Sequence, residues 1–413
     1  MNTNFATHYF ERYRALPPFF CDRPPDREPG IIVIIPCMDD GFIFRTLDSL
    51  ESASPVSPQI EVIVHVNSGE RTPPEVIERN RTIFDGLKQK AVAGFYKRFR
   101  LLPILTEGTA KKKAGVGFAR KTAMDEAVRR FAAANNPEGL IVSLDADTLV
   151  AGAYFQEMEE AMKKSRAACF TFQFRHCYDA RRYSPEVIRA CKLYEIYLRY
   201  YRLALKTFDS PYAIHTIGSC FAVRADAYVK LGGMTCRQGG EDFYFLQKAV
   251  KMHPVYEVKT PVVFPSPRVS NRVPFGTGPS VRNIIEKGYY KVYNFELFRL
   301  LKTFYELFPA MRQNDLKKQI PPEILAYLGD RSFDEILAEC RTYSSSSKTF
   351  VKRMYDSFDA FFIVKFLNTF NNSAVYPPVD VLEAGRTLLD CYGVDGEHNN
   401  VYEEIMLLDV SKE

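Results

Sequence analysis

Apolar, β-branched runs that stop abruptly constrain this chain more than any other feature. Residues 31–35 read IIVII, with no polar side to turn toward water, and Pro36 ends the run. Such a run suits a strand buried on both faces. Residues 60–66 and 101–105 repeat the pattern, and LIVSL at 140–144 makes a fourth short strand. Between these runs apolar residues recur at helical spacing. Phe44, Leu47 and Leu50 do so within 42–50, and Ala119, Ala123, Ala127 and Phe131 within 118–134, while 76–96 reads as a longer helix. Parallel strands need long crossovers, and helices of this length supply them. The alternation predicts an α/β fold, with a mostly parallel sheet covered by helices on both faces.

The flanks read differently. Residues 1–16 suit a short helix, and Pro17, Pro18, Pro24, Pro25 and Pro29 then break regular structure, so 1–29 reads as an arm packed on the surface. Beyond 150 the pattern predicts a helix over 153–164, a strand over 168–175, and a long aromatic helix over 186–207. A strand over 217–223, helices over 225–231 and 241–252, and a strand over 262–264 follow. From about 283 strand signals fade, and Phe350, Met354 and Phe358 recur at helical spacing. The expected organisation is an arm (1–29), a sheet domain (30–284) and a helical region (285–413).

Composition narrows the class. A charged fraction of 25% beside 46% hydrophobic residues is ordinary for a soluble globular protein. A net charge of +5 over 413 residues gives no case for nucleic acid, but it fits an anionic small substrate. Nine cysteines without a C-x-x-C pair argue for a reducing, cytoplasmic setting and against a disulfide framework or zinc site. No signal-type apolar core and no run of about 18 apolar residues stands out, so no transmembrane segment is expected. A peripheral membrane contact stays open.

The chemistry concentrates at strand ends. Asp145 and Asp147 follow the LIVSL strand with only Ala146 between them. On extended backbone they point to one side, at the carboxyl edge where open α/β sheets bind ligands. Paired hard oxygens there suit Mg²⁺ or Mn²⁺ carrying a diphosphate. Glu241-Asp242 follows Gly239-Gly240 and opens a helix, where the dipole favours a carboxylate. An ionised Asp at such a point can take the proton of a hydroxyl. Asn67, at the end of the second strand, carries both a donor and an acceptor. Arg120 and the loop arginines Arg268 and Arg272 can fork onto phosphate oxygens. His176, His215 and His253 are candidates for a third metal ligand.

Taken in order, these pieces resemble the family 2 glycosyltransferases of the GT-A fold. The resembling segments are Ile35-Pro36-Cys37-Met38-Asp39-Asp40 with Leu47-Asp48-Ser49-Leu50, Asn67-Ser68-Gly69-Glu70, Gly115 to Lys121, Asp145-Ala146-Asp147, Gly218 to Arg224, and Gly239 to Asp242. They cover about 31–268. Asp39 stands where the family usually has Asn, and Pro265 where many members have His. The resemblance implies a nucleotide-diphosphate sugar donor over the first half of the sheet. It implies that Asp145 faces the nucleoside, that Asp147 (with Asp145) holds Mg²⁺ or Mn²⁺, and that Gly218 and Ser219 lie under the donor sugar. Pro36, Asp39, Asn67, Arg120, Arg268 and Arg272 would complete the donor site. It further implies an inverting enzyme of hexosyltransferase type, with Asp242 or Glu241 as base, acting on a saccharide or lipid-linked acceptor.

Two rivals are weighed against this. A sugar-phosphate nucleotidyltransferase should carry a Gly-rich, Arg-containing loop after the first strand, and Pro36 to Asp40 offers none. A non-catalytic nucleotide-sugar binder would have no reason to keep Asp145, Asp147 and Asp242 together.

Overall fold

Strand β1 (Pro29–Cys37) carries the IIVII run, and each side chain from Ile31 to Ile35 is fully buried. The structure, a computed structural model, describes residues 4–13, 15–20, 25, 28–111, 114–270, 276–394 and 396–411. Helix α1 (Thr7–Tyr13) precedes β1. After it come α2 (Ile43–Glu51), β2 (Gln59–Gly69), α3 (Pro74–Val92), β3 (Arg100–Thr109), α4 (Val116–Ala133), β4 (Leu140–Ser143) and β5 (Leu149–Val150). The chain continues through α5 (Tyr154–Lys164), β6 (Cys169–Phe174), α6 (Pro185–Lys206), β7 (Phe221–Arg224), α7 (Ala225–Lys230), α8 (Glu241–Met252) and β8 (Val255–Phe264).

Eight strands form one sheet in the order β3-β2-β1-β4-β7-β6-β8-β5. Only β7 and β5 run against the others, so the sheet is mostly parallel, as the alternation predicts. Register carries the site. Ile34 pairs with Ser143 and Pro36 with His65, so the ends of β1, β2 and β4 reach one edge. Because β7 is antiparallel to β4, with Phe221 opposite Ser143, the residues preceding β7 arrive at that same edge.

Several element ends differ from the sequence reading. Helix α3 stops at Val92, not 96, because Gly94 turns into the left-handed region at φ 55. Strand β8 begins at Val255 rather than 262, since Val255 to Val258 pair with Cys169 to Phe172 of β6. Pro254 and Pro261 hide that pairing from a sequence reader. The turn closed by Cys220 N–H to Ile217 C=O delays β7 to Phe221. The arm is anchored, not merely laid on the surface. Tyr9 of α1 is 2% exposed and its hydroxyl donates to Asp125 of α4 at 2.7 Å, beside Tyr228 and Lys121. A β-carbon on Gly233 would lie 2.0 Å from the Tyr9 hydroxyl, so glycine keeps that seat open.

The chain forms two compact units, residues 1–183 with 215–279, and residues 184–214 with 280–413. The sequence reading kept α6 with the sheet. In the structure it belongs to the second unit, where Tyr200 packs edge-on against Phe298 and donates to the Tyr293 carbonyl at 2.8 Å. Arg199 and Arg202 of α6 pair with Asp409, and Arg199 also with Glu195, all buried. The rest of this unit is helical apart from a two-strand ladder of β9 (Lys291–Val292) with β10 (Val379–Asp380). Among the described residues no helix is long and apolar enough to cross a membrane.

His65 of β2 gives the first unit a pH signature. It is fully buried, with Nδ1 at 3.0 Å from the Ala119 carbonyl and Nε2 at 2.8 Å from Thr106 Oγ1. Burial pushes its pKa down to about 4. The unfolded chain therefore takes up a proton near 6.5 that the native state refuses until about 4. Stability is full above the unfolded value and is lost as pH falls through that window. Urea unfolding at pH 7 and pH 5 should show about 2 kcal/mol more acid loss for wild type than for His65→Gln. Equal losses would mean that His65 is protonated in the fold.

Candidate active site

The site is built from turns that leave the carboxyl edge of the sheet. After β1 the chain passes through Asp39 at φ 50, a left-handed conformation that Asp tolerates better than most residues. That turn sends neighbouring carboxylates apart. Asp39 faces outward to Arg79, with bonds of 2.6 and 2.8 Å that hold its pKa below the usual carboxylate range. Asp40 turns inward, is 3% exposed, and pairs with Arg268. Asn80 of α3, fully buried, accepts from Asp39 N–H at 2.7 Å and donates to the Asn67 carbonyl at 3.2 Å. It thereby ties the end of β1 to the end of β2. Asn67 is itself buried, and the neighbouring Ser68 hydroxyl is buried with no hydrogen-bond partner among the described residues.

After β4 comes the Asp-x-Asp turn. Thr46 of α2 holds it by donating to the Ala146 carbonyl at 2.8 Å. Two arginines meet its carboxylates. Arg268, from the loop after β8, reaches Asp147 at 2.7 Å as well as Asp40. Burial pushes Asp147 up to about 7, aided by Asp40 and Asp145, and Arg268 only partly opposes it. Asp40 is raised in the same way, by burial first.

Arg120 of α4 anchors the other side. Its guanidinium bonds Asp145 at 2.6 Å and the Glu241 carboxylate, and its Nε donates to Ser143 at 3.0 Å. Arg120 and Glu241 are each 2% exposed, so this is a buried pair within a wider network. Gly218 leaves room for it, because a β-carbon there would lie 2.6 Å from the guanidinium. Gly117 lets the start of α4 pack against the backbone of residues 235–237, since a β-carbon there would fall 2.2 Å from the Arg237 carbonyl. Asp242 follows Glu241 in the first turn of α8, behind Gly240 at φ 69. Its pKa is raised, chiefly by burial and also by Asp145, while Arg120 draws it down.

The structure thus gathers Pro36, Asn67, Arg120, Asp145, Asp147, Gly218, Ser219, Glu241, Asp242 and Arg268 along one edge, with Asp39 on its rim. Arg272 lies outside the described residues. His253 sits between α8 and the start of β8, at the opposite edge. His176 and His215 are buried edge-on against Phe174, and His176 lies 3.2 Å from Thr277 Oγ1. Among the described residues no group of three His, Cys, Asp or Glu side chains is arranged to hold a metal ion. Sequence reasoning missed Asp40, Thr46 and Asn80 as site residues. Asp40 was in plain view beside Asp39, and only the backbone turn says which of the two faces inward.

No family model matches the sequence, and no curated protein does. Among solved structures, the chain is similar to residues 1–349 of Staphylococcus aureus TarS, at 12% identity and a TM-score of 0.39, covering 79% of this chain and 90% of that one. The same protein in complex with UDP-GlcNAc matches at 12% identity and a TM-score of 0.39, covering 92% of this chain and 90% of that one. The mannosyltransferase PcManGT from Pyrobaculum calidifontis, in complex with GDP-Man and Mn²⁺, matches at 15% identity and a TM-score of 0.37. That alignment covers 98% of this chain and 93% of that one.

Proposed function

We propose that this chain is an inverting glycosyltransferase of the GT-A type, moving a sugar from a nucleoside diphosphate to an acceptor hydroxyl. The observation that carries the reading is the position of Asp145. It stands two residues before Asp147 and shares Arg120 with Glu241, the residue before Asp242, so the carboxylates proposed for the diphosphate side and for the base are tied to one turn. Arg120 bonds Asp145 and Glu241 together and fixes their spacing.

In this reading the nucleoside lies over Asn67 and the turn after β1, with Asp145 beside it. Gly218 and Ser219 lie under the donor sugar. Arg268, and Arg272 in the same loop, supply positive charge to the diphosphate. Asp147 and Asp40 offer hard carboxylate oxygens, and one or two carboxylates with substrate phosphates make up a usual Mg²⁺ set. Burial first, and the Asp40 and Asp145 carboxylates after it, raise Asp147 to about 7, and a divalent ion held by Asp147 and Asp40 would offset that buried negative charge. Such an ion, when bound, neutralises the charge that develops on the leaving diphosphate. Asp242 takes the acceptor's proton. The acceptor oxygen attacks the anomeric carbon from the face opposite the diphosphate, so its configuration inverts. The acceptor is a saccharide or a lipid-linked group.

Titration calorimetry with a panel of nucleoside diphosphates, with and without Mn²⁺, tests the reading. Asp147→Asn should abolish the Mn²⁺-dependent part of the affinity and leave the fold intact. In wild type that part should grow from pH 6 to pH 8, because Asp147 must release its proton, near 7, to take the ion. No binding by any nucleotide under either condition would refute the function. Binding that ignores both Mn²⁺ and Asp147→Asn would refute the metal assignment alone.

A further inference from the structure

The edge of the sheet opposite the candidate active site carries a cluster of its own. That edge, where β1, β2 and β3 begin, carries the turn between α3 and β3. From Lys88 to Arg100, the last turn of α3, this turn and the first residue of β3 together carry Lys88, Lys90, Lys97, Arg98 and Arg100 and no Asp or Glu. Three aromatic rings share it and do different things. Tyr96 and Phe99 stack at 4.8 Å and are buried, which pins the turn to the unit. Phe95 is thrown outward, 54% exposed, and Val92 beside it is 75% exposed. The Lys90 ammonium sits 3.4 Å from the centre of the Phe95 ring. Glu51 accepts from the backbone N–H groups of Lys97 and Arg98, so it shapes the turn from beneath. Lys97 and Arg98 are exposed. A cleft of about 360 Å³ opens alongside, lined by Gln59, Lys90, Lys97, Arg98 and Arg100 and by one acid, Glu61, which is paired with Arg130.

We propose that this turn docks on an anionic lipid bilayer. Two exposed apolar side chains ringed by cations are the chemistry of an interfacial contact, in which the apolar tip enters the headgroup boundary and the cations meet lipid phosphates. The cleft accepts one headgroup phosphate beside Lys90, Lys97 and Arg98. The Lys90 ammonium over the exposed Phe95 ring puts a cation and an apolar tip side by side on one turn, and a purely apolar partner would not need the cations. Docking here leaves the candidate active site at the far end of the strands. Eleven residues of β2 separate the two edges, about 35 Å at the rise of an extended strand. The acceptor hydroxyl would then be one that stands well away from the lipid surface. The proposal does not depend on the glycosyltransferase reading, because no residue is shared.

Co-sedimentation of the full chain with vesicles tests it. At low salt the protein should pellet with phosphatidylcholine–phosphatidylglycerol vesicles and stay in solution with phosphatidylcholine alone, and high salt should release it. Lys97→Gln with Arg98→Gln should lower the partition coefficient about thirtyfold. Val92→Ser with Phe95→Ser should lower it about tenfold while leaving the salt dependence in place. These side chains are exposed, so circular dichroism of each variant should match wild type. Equal binding to neutral vesicles, no binding to anionic ones, or variants that bind as wild type does would each overturn the proposal. An acidic protein partner would appear as the second of these outcomes.

Discussion

Asp242→Asn should lower the rate of sugar transfer by about 10²–10⁴-fold, the usual cost of losing a general base, with nucleotide affinity unchanged. Asparagine keeps the shape, so the first turn of α8 and its bond from Phe243 N–H to Asp242 Oδ1 have a near-equivalent. Burial raises the pKa of Asp242, and the charge of Arg120 opposes that rise. That balance suits a base, which must be ionised yet still take a proton. Glu241 is poorly placed to substitute, since its carboxylate is buried against Arg120. Transfer should therefore not recover through the neighbour. Steady-state rates with a nucleotide sugar that wild type turns over, beside calorimetry with its diphosphate, separate the two effects. Transfer near the wild-type rate would move the base elsewhere.

Arg120→Met should destabilise the protein by about 3–5 kcal/mol, because Glu241 loses its counter-ion in a dry position. Met approximates the stem of Arg but carries no donor, so Asp145, Glu241 and Ser143 all lose a partner. The double variant Arg120→Met, Glu241→Gln should recover part of the loss, since a buried amide costs less than a buried carboxylate. Without Arg120 the pKa of Asp242 should climb further, so any folded variant should also shift its pH–rate profile upward. Urea unfolding of both variants reads the stability, and a single variant within about 1 kcal/mol of wild type would show the network to be solvated and weak.

Much of this was legible in one dimension. The strands announce themselves because a buried parallel strand has no polar face, and that shows in five consecutive residues such as 31–35. Asp145 and Asp147 follow from the same logic, since whatever comes after such a strand arrives at the sheet's carboxyl edge. The order of the glycine, arginine and carboxylate segments was likewise readable, and the structure brings those segments to one edge.

Sequence by itself therefore determined the strand-and-helix alternation and which turns would meet. Tertiary structure decided which atoms in those turns touch. A single left-handed residue, Asp39, turned its own carboxylate to Arg79 and gave Asp40 to Arg268. Pairing with β6 made a strand of Val255 to Val258 behind a proline, and contacts to distant helices took α6 out of the sheet unit. Arg120 offered no sign that Glu241 would be its partner. Apolar periodicity is local and repeats within a few residues. An ion pair is set by whichever side chains a long loop happens to bring within about 3 Å, and no pattern along the chain encodes that distance.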